Sequence, residues 1–428
     1  MEREFKDSGI EWIGRIPKEW KVKPHKHLMR KIKKLCPEYN GEDIISLTMN
    51  GVVLRDLNAG GKMPTSFDGY QYVYPGNLLM CLFDIDVTPR CVGLIKNEGL
   101  TSPAYSQFTL FDGVFGPYYN YLLRYMDDEK CILHLSKNLR SSLTEEDFGQ
   151  ILTIYPPLNE QQCIAHYLDK KCGEIDELIA LQEQMIAQLT DYKQSVITEA
   201  VTKGLNPDVE LIPSGIDYIG EIPKNWNGCA PLKRFTEIIL GKMLQSNASN
   251  DDTLEQYICA KDVHFDGVDY SDLKSMYFSN YEKKQYKVFK GDMLVVEGGA
   301  GAAGSAIVER DIHNVYIQNS IMIVRPLNAF SIKYARYVLF SIVSRGYVEY
   351  ICNKATIPHF TKEKLSGTII PIPPLSEQQS IATYLDTKCS EIDSLIAIKQ
   401  QKIETLKDYK KSVIYEAVTG KMSIGETP

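Results

Sequence analysis

The sequence has no run of apolar residues long enough to cross a membrane, and its first residues, MEREFKDSGIEW, lack the apolar stretch of a signal peptide. Its ten cysteines include no Cys-x-x-Cys pair, which indicates reduced, buried thiols rather than a disulfide framework. These absences predict a cytoplasmic protein that does not bind membranes.

Familiar catalytic motifs are also missing. The sequence contains no G-x-S-x-G turn, P-loop or HExxH, and no NPP-aromatic motif of the kind that amino-methyltransferases use. Gly299, Gly301 and Gly304 match G-x-G-x-x-G, but residues 305–308 have the pattern of a strand, whereas a dinucleotide site requires a helix there. We therefore predict a glycine-rich hairpin, whose amides could meet phosphate, and no catalytic residues.

Three potential metal ligands, Cys163, His166 and Cys172, lie within one predicted helix. A second copy of that helix carries Ser380 and Thr383 at the first two positions. The third cysteine falls on the apolar side of the helix. We therefore predict that the chain holds no metal.

The sequence contains one long segment twice. Residues 160–202 recur 217 positions later as residues 377–419, with 29 of 43 positions identical. A proline pair precedes each copy and marks a helix start. Apolar residues then recur at alternating steps of four and three, which is typical of a coiled coil. The predicted seam consists of Leu168, Cys172, Ile175, Ile179, Ile186, Leu189, Leu385, Cys389, Ile392, Ile396, Ile403 and Leu406.

The two helices are expected to pack on each other, because neither could bury so long a stripe alone. The alternative is two ordinary core helices in separate domains. The seam is interrupted at Gln182 and Lys193 in the first copy and at Lys399 and Lys410 in the second.

A shorter repeat opens each half of the chain. Residues 8–20 return as residues 214–226 with nine of 13 positions identical. The glycines and proline suit a compact turn, and Trp20 and Trp226 suit anchors that hold it against the following domain. The two repeats predict these segments: a leader (1–20), a first variable domain (21–157), a long helix (158–204), a linker with the second leader (205–226), a second variable domain (227–373), a second long helix (374–422) and a tail (423–428).

The net charge of −7 argues at first against a nucleic-acid partner. The acidity is local, however, with −4 over residues 159–203 and −3 over 204–226, while 227–372 carries +2. Residues 21–34 are rich in lysine, including Lys31, Lys33 and Lys34, and could face phosphates. The same segment could form an amphipathic helix that buries Leu28, Ile32 and Leu35. The two interpretations are compatible.

Further DNA-binding candidates lie in loops. Arg140, Ser141 and Ser142 precede a short helix whose N-cap is predicted at Thr144. The corresponding loop of the second variable domain offers Lys354, Thr356 and His359. Two lysines elsewhere in that domain, Lys283 and Lys284, complete the set.

Two diverged domains separated by two near-identical helices, each opening with PPLxEQQ, resemble the specificity subunit of Type I restriction–modification enzymes. The resemblance covers essentially the whole chain, including the leader. It implies an α+β fold in which two globular target-recognition domains are joined by two long antiparallel coiled-coil helices with a pseudo-twofold internal repeat.

The resemblance also implies a function. Each target-recognition domain would read one half of a bipartite, asymmetric site in double-stranded DNA. The helices would hold the domains apart and dock methyltransferase subunits, two in number, while restriction/translocase subunits would join for cleavage. Methylation of adenine N6 would belong to the partners, as would S-adenosylmethionine, Mg and ATP, so this chain would carry no cofactor. The alternative is a coiled-coil tether that binds proteins and not DNA.

Overall fold

The computed structural model describes residues 3–49, 51–58, 64–86, 92–131, 133, 141–249, 251–265, 267–299, 301–352 and 359–424. The chain divides into two compact units: unit 1 is Met1–Glu183 with Gln401–Pro428, and unit 2 is Gln184–Gln400. We call the variable domain in unit 1 (residues 21–157) module 1, and the one in unit 2 (residues 227–373) module 2. Among the described residues no helix is both long and apolar enough to span a membrane.

Unit 1 contains short strands, short helices and part of each long helix. Its strands are β1 (Phe5–Asp7), β2 (Arg15–Pro17), β3 (Lys21–Pro24), β4 (Met29–Ile32), β5 (Ile45–Thr48), β6 (Gly51–Leu54), β7 (Gln71–Val73), β8 (Leu78–Met80), β9 (Val92–Leu94), β10 (Gly99–Thr101), β11 (Ser106–Leu110) and β12 (Leu152–Tyr155). Its helices are α1 (Gly116–Asp128), α2 (Glu145–Gln150), the first half of α3 (Leu158–Lys203) and the end of α8 (Leu375–Val418).

The core of module 1 lies between α1 and an antiparallel sheet in the order β4, β11, β8, β9. Phe108 of β11 lies opposite Leu78 of β8. Both belong to an apolar cluster that also contains Tyr119 and Leu122 of α1. Strand β12 pairs with β3, so the end of the module returns to its start immediately before α3.

Unit 2 repeats this plan with additional elements. Its strands are β13 (Leu211–Pro213), β14 (Glu221–Pro223), β15 (Cys229–Pro231), β16 (Thr236–Leu240), β17 (Thr253–Ile258), β18 (Val263–His264), β19 (Gly267–Val268), β20 (Lys274–Phe278), β21 (Met293–Val296), β22 (Ser305–Ile307), β23 (Val315–Ile317), β24 (Ile321–Pro326) and β25 (Ile369–Pro371). Its helices are α4 (Asn280–Tyr286), α5 (Ile332–Ser344), α6 (Tyr347–Ile351), α7 (Lys362–Gly367) and the first half of α8 (Leu375–Val418), with the second half of α3.

The two modules share one layout despite their different sequences. The sheet order β16, β24, β21, β22 in module 2 corresponds to β4, β11, β8, β9 in module 1, and β25 pairs with β15 as β12 pairs with β3. The same backbone hydrogen bond forms in both modules. His25 N–H donates to the Ile151 carbonyl at 3.0 Å, and Leu232 N–H donates to the Thr368 carbonyl at 2.9 Å. The predicted duplication of an α+β unit is confirmed.

The leaders are compact, as predicted. In the first, β1 pairs with β2, and in the second β13 pairs with β14. Trp20 is completely buried and Trp226 is 6% exposed. Both tryptophans therefore anchor their leader to the core of its own unit.

The long helices are antiparallel within each unit. In unit 1, Leu168 near the start of α3 shares an apolar cluster with Val413 and Ala417 near the end of α8. In unit 2, Leu385 near the start of α8 shares a cluster with Ile197 near the end of α3. The predicted antiparallel pairing is therefore confirmed.

The prediction of an amphipathic helix in the lysine-rich segment, residues 21–34, is wrong. The segment forms β3, a 3-10 turn at His25–His27, and β4. Pro24 restricts the preceding residue to extended conformations, and β3 is held by its pairing with β12. Of the side chains that such a helix would bury, Leu35 is 51% exposed.

Candidate nucleic-acid interface

The lysine-rich segment of module 1 lies on β4 and just after it. The Lys31 ammonium contacts the carboxylate of Glu145 at the start of α2, and burial, with Lys33 nearby, lowers the pKa of Lys31. Lys33 and Lys34 are exposed, and neither has a carboxylate partner among the described residues. The Lys34 ammonium lies 5.3 Å from the ring centroid of Tyr72. Lys33 and Lys34 are therefore more available to an external anion than Lys31.

Ser141 and Ser142, which we call the serine loop, lie just before the start of α2, where Glu145 contacts Lys31. Ser141 and Ser142 are half-buried, and Ser141 has a left-handed backbone with φ +43°. Arg140 lies outside the described residues. Thr144 caps α2 as predicted, because its hydroxyl accepts a hydrogen bond from a first-turn amide at 3.0 Å. Since Glu145 meets the lysine-rich segment, the structure brings the serine loop and that segment to one part of module 1.

The two lysines predicted in module 2 lie on α4. The Lys283 ammonium donates to the Thr253 hydroxyl at 3.0 Å and lies 3.8 Å from the Glu255 carboxylate. Lys284 is exposed, with no carboxylate partner in the described part of the chain. These side chains line an open cleft of about 420 Å³. Its lining residues are Glu255, Lys283, Lys284, Lys287, Phe289, Asn314 and Tyr316.

His359 is exposed and lies elsewhere in module 2. Its backbone forms a bridge with Gly298, and its carbonyl accepts a hydrogen bond from the Lys364 ammonium at 2.8 Å. The neighbouring Phe360 is fully buried and fixes the chain there. Lys354 and Thr356 lie outside the described residues. Of this predicted loop, the structure therefore places only His359, next to the glycine-rich hairpin.

That hairpin has the predicted form. β21 and β22 are antiparallel, with Val295 opposite Ser305. Ala303 N–H donates to the Val296 carbonyl at 2.9 Å. The strand after the glycines takes the place that the helix of a dinucleotide fold would need.

The three potential metal ligands of α3 differ in burial. Cys163 is half-buried, His166 is exposed, and Cys172 is buried in the helix pair. Burial raises the pKa of Cys172, which disfavours the thiolate that a metal would require. In the described portion of the chain, no three metal-ligating side chains come together.

The twelve predicted seam residues are all buried or half-buried. Two of the polar interruptions reach out of the seam to the other helix. Lys410 binds Asp176 at 2.6 Å in unit 1, and Lys193 binds Asp393 at 2.7 Å in unit 2. Gln182 is buried, and its side-chain oxygen has no partner among the described residues.

The PPLxEQQ motif fastens each long helix to its module. Gln161 is completely buried. Its side-chain oxygen accepts from Phe115 N–H at 2.8 Å, and its amide donates to the Pro156 carbonyl at 2.9 Å. Gln378 repeats this, accepting from Ser331 N–H at 3.0 Å. Because Phe115 and Ser331 are the N-caps of α1 and α5, one glutamine joins two helix starts in each unit.

Two pairs of tyrosines that contact the long helices were not predicted from the sequence. The Tyr118 hydroxyl donates to the Val418 carbonyl at 2.7 Å, and the Tyr334 hydroxyl donates to the Val201 carbonyl at 3.2 Å. Burial raises the pKa of both tyrosines far above the ordinary value, so both remain neutral donors.

The second pair binds the first half of each long helix. Tyr121 donates to Asp169 at 2.8 Å, and Tyr337 donates to Asp386 at 2.7 Å. A comparison of the two modules at an offset of 216 residues would have revealed both pairs, since tyrosine recurs at each position.

Comparisons with known proteins agree with this arrangement. Residues 223–408 match the family model described as "Type I restriction modification DNA specificity domain". A putative Type I restriction enzyme MjaX specificity subunit from Methanocaldococcus jannaschii is 24% identical over 334 residues, which are 72% of this chain and 68% of that protein.

Two solved structures share the fold. One, from a study of complex assembly and conformational transition of the type I R-M system, has a TM-score of 0.70 at 15% identity and covers 95% of this chain and 99% of that one. The other is the HsdS subunit from Thermoanaerobacter tengcongensis, with a TM-score of 0.53, 16% identity and coverage of 95% and 98%.

Proposed function

This chain belongs to the specificity-subunit family of Type I restriction–modification enzymes, and on that premise we propose that it reads a bipartite, asymmetric site in double-stranded DNA. Module 1 reads one half of the site and module 2 reads the other. The observation that carries the proposal is one layout built twice with different surfaces. The sheets and their connections recur, while the cations suited to phosphate lie at different places: Lys33 and Lys34 follow β4 in module 1, and Lys284 lies on α4 in module 2.

Each module offers cations suited to phosphate. Lys33 and Lys34 in module 1, and Lys284 and Lys287 in module 2, have no carboxylate partner among the described residues. Phosphate contacts of this kind orient a reader on the duplex but carry no base information. Base contacts come from the neighbouring loops, including Ser141, Ser142 and His359.

The long helices dock the methyltransferase subunits, one to each unit. Support comes from exposed positions that stay identical between the two copies. Leu178 and Tyr409 in unit 1 are 45% and 49% exposed, and their equivalents Leu395 and Tyr192 in unit 2 are 47% and 57% exposed. Packing within the helix pair explains identity at buried positions but not at these. Two like surfaces fit two copies of one partner.

The remaining activities belong to partner subunits in the cytoplasm. The methyltransferase supplies S-adenosylmethionine chemistry at adenine N6, and a restriction/translocase subunit supplies ATP- and Mg-dependent cleavage. This chain contributes recognition and scaffolding. The duplex must still be distorted to deliver an adenine into a methyltransferase pocket.

The proposal is tested by binding. The chain, co-purified with its methyltransferase, is applied to random duplex DNA and eluted with rising salt, and methylated sites are then mapped in cells that carry both subunits. We expect salt-dependent retention, because phosphate contacts release counterions. We also expect one two-part methylated sequence. A coiled-coil tether without a DNA role would show neither result.

A further inference from the structure

One tight turn is built identically in both modules. It comprises residues 74–77 in module 1 and residues 289–292 in module 2, and it leads into the central strands β8 and β21. In each turn the fourth amide donates to the first carbonyl, at 3.3 Å and 3.1 Å respectively. The third residue is glycine with φ +84° or +91°, as a type II turn requires.

The backbone of the turn is held in a similar way in both modules. Gly76 N–H donates to the Ile95 carbonyl at 2.9 Å, and Gly291 N–H donates to the Val308 carbonyl at 2.8 Å. The amide of the first residue is held by a buried polar side chain in both cases. Gln107 accepts from Tyr74 N–H at 2.9 Å, and Asp292 accepts from Phe289 N–H at 2.8 Å. The backbone of the first residue is therefore fixed.

The first residue of each turn is an exposed aromatic. Tyr74 is 36% exposed and Phe289 is 48% exposed. Neither ring belongs to the buried core of its module. The turn therefore presents a partly exposed aromatic ring at the same point of both modules.

The ring of Phe289 lies among cations. The Arg325 guanidinium carbon is 4.7 Å and the Lys287 ammonium 5.6 Å from its centroid. Phe289 also lines the α4 cleft with Lys283 and Lys284, where Glu255 is the single acidic residue among the described lining residues. Lysines beside an exposed ring form the combination that binds a phosphate backbone and stacks on a base.

We propose that Phe289 stacks on a nucleobase of the bound DNA while the cleft lysines hold the adjacent phosphates, and that Tyr74 has the equivalent position in module 1. The inference rests on the proposed function and names one residue in each module that contacts a DNA base. A phenyl ring makes no hydrogen bond to a base edge, so this contact supports distortion of the duplex rather than base readout.

The test compares Phe289→Ala with Phe289→Tyr in the complex with methyltransferase, using as probe a duplex that carries the mapped methylation site. We expect F289A to bind roughly tenfold more weakly and F289Y to bind like the unaltered protein, since tyrosine is the residue at the equivalent position 74. The salt dependence of F289A should be unchanged. Lys284→Ala should instead lower the slope of log affinity against log salt by about one unit.

Unchanged affinity of F289A would overturn the proposal, as would equal losses in F289A and F289Y. Thermal unfolding of each variant checks that the fold survives, which we expect because the ring is half exposed. Failure of the unaltered complex to bind any duplex would refute the proposed function itself. The two failures are therefore distinguishable.

Discussion

The carboxylate of Asp176 accepts hydrogen bonds from the Lys410 ammonium at 2.6 and 2.7 Å across the helix pair. The same contact recurs at the equivalent positions, where Lys193 binds both oxygens of Asp393 at 2.7 Å. In the sequence the two lysines interrupt the apolar seam. In the structure they leave it to pair with a carboxylate on the other helix. A polar residue within a coiled-coil seam fixes register, and we infer that these two pairs do so here.

Reversing one charge tests this role. Asp176→Lys places two ammonium groups together and should lower the free energy of unfolding by about 1 kcal/mol. The double variant Asp176→Lys with Lys410→Asp should recover most of that loss. Chemical denaturation at low salt measures both values, and 1 M salt should reduce the difference. No recovery in the double variant would show that the pair does not contribute.

A half-chain should dimerise. Residues 1–212 contain one leader, module 1 and α3, and the seam of α3 would be exposed without α8. Two copies can pair by twofold symmetry, with Asp176 of one meeting Lys193 of the other, because Lys193 is the equivalent of Lys410. We expect a dimer by light scattering. With methyltransferase it should mark a symmetric site made from one half-sequence twice.

Charge variants of the half-chain provide the control. Asp176→Lys alone should weaken the dimer, and adding Lys193→Asp should restore it, because each pair would then be reversed. A folded monomer from the unaltered half-chain would contradict the helix pairing. The same outcome would leave the DNA proposal untouched.

The long helices could be predicted because their signal is local. The steps of four and three and the proline pair lie within one segment, and the second copy of that segment repeats them. The structure of the lysine-rich segment was harder to predict, because its own pattern of residues also allowed a helix. What decides its structure is the pairing of β3 with β12, which the chain reaches only after the rest of module 1.

The sequence marks the recurring tyrosines at an offset of 216 residues, but it does not show what they contact. Tyr118 and Val418 are 300 positions apart, and the carbonyl that accepts the hydrogen bond carries no side-chain signature. Gln161 had a signal, because PPLxEQQ occurs twice, but the motif alone did not say that its glutamine binds the cap of α1. Among the predicted DNA-binding residues, exposure and pairing depend on neighbours such as Glu145 that only the fold supplies.

The buried glutamine predicts a sharp contrast between adjacent positions. Gln161→Leu should lower the free energy of unfolding by about 2–3 kcal/mol, because it removes the partners of the half-buried Phe115 N–H and the buried Pro156 carbonyl. Gln162→Leu, at the neighbouring exposed position, is the matched control and should change stability by less than about 0.5 kcal/mol. Urea denaturation measures both. Equal effects would contradict the role assigned to Gln161.

Acid should destabilise module 1 through His25. This residue is completely buried and stacked on Phe148 with 4.5 Å between ring centroids, and burial lowers its pKa to about 4. As pH falls below about 6.5 the unfolded chain takes up a proton that the folded chain does not. Stability is therefore lost between about pH 6.5 and pH 4, amounting to about 2 kcal/mol at pH 5.

The matched variant is His25→Leu, because module 2 has Leu232 at this position. In this variant the free energy of unfolding should fall less on acidification, because the contribution of His25 is removed. The contribution of the carboxylates should remain. The quantity to compare is the difference in unfolding free energy between pH 7.5 and pH 5 for the two proteins. If that difference is the same in both, His25 does not titrate as the burial indicates.

The two modules should act on separate halves of the DNA site. Lys34→Ala removes an exposed cation of module 1, and Lys284→Ala removes one of module 2. Each should weaken binding of the methyltransferase complex and lower its salt slope by about one unit, without changing the bases that are methylated. Lys31→Ala should lower the slope less, because the Lys31 ammonium already contacts Glu145.

Duplexes that contain only one intact half-site separate the modules. Lys284→Ala should weaken binding to the half-site read by module 2 and leave the other unaffected, and Lys34→Ala should do the reverse. Lys407→Ala, on α8 and paired with Glu404 at 3.0 Å, is the control and should bind both half-sites like the unaltered protein. If Lys34→Ala and Lys284→Ala weakened the same half-site, the two modules would not read separate sequences, and the duplicated layout would need another explanation.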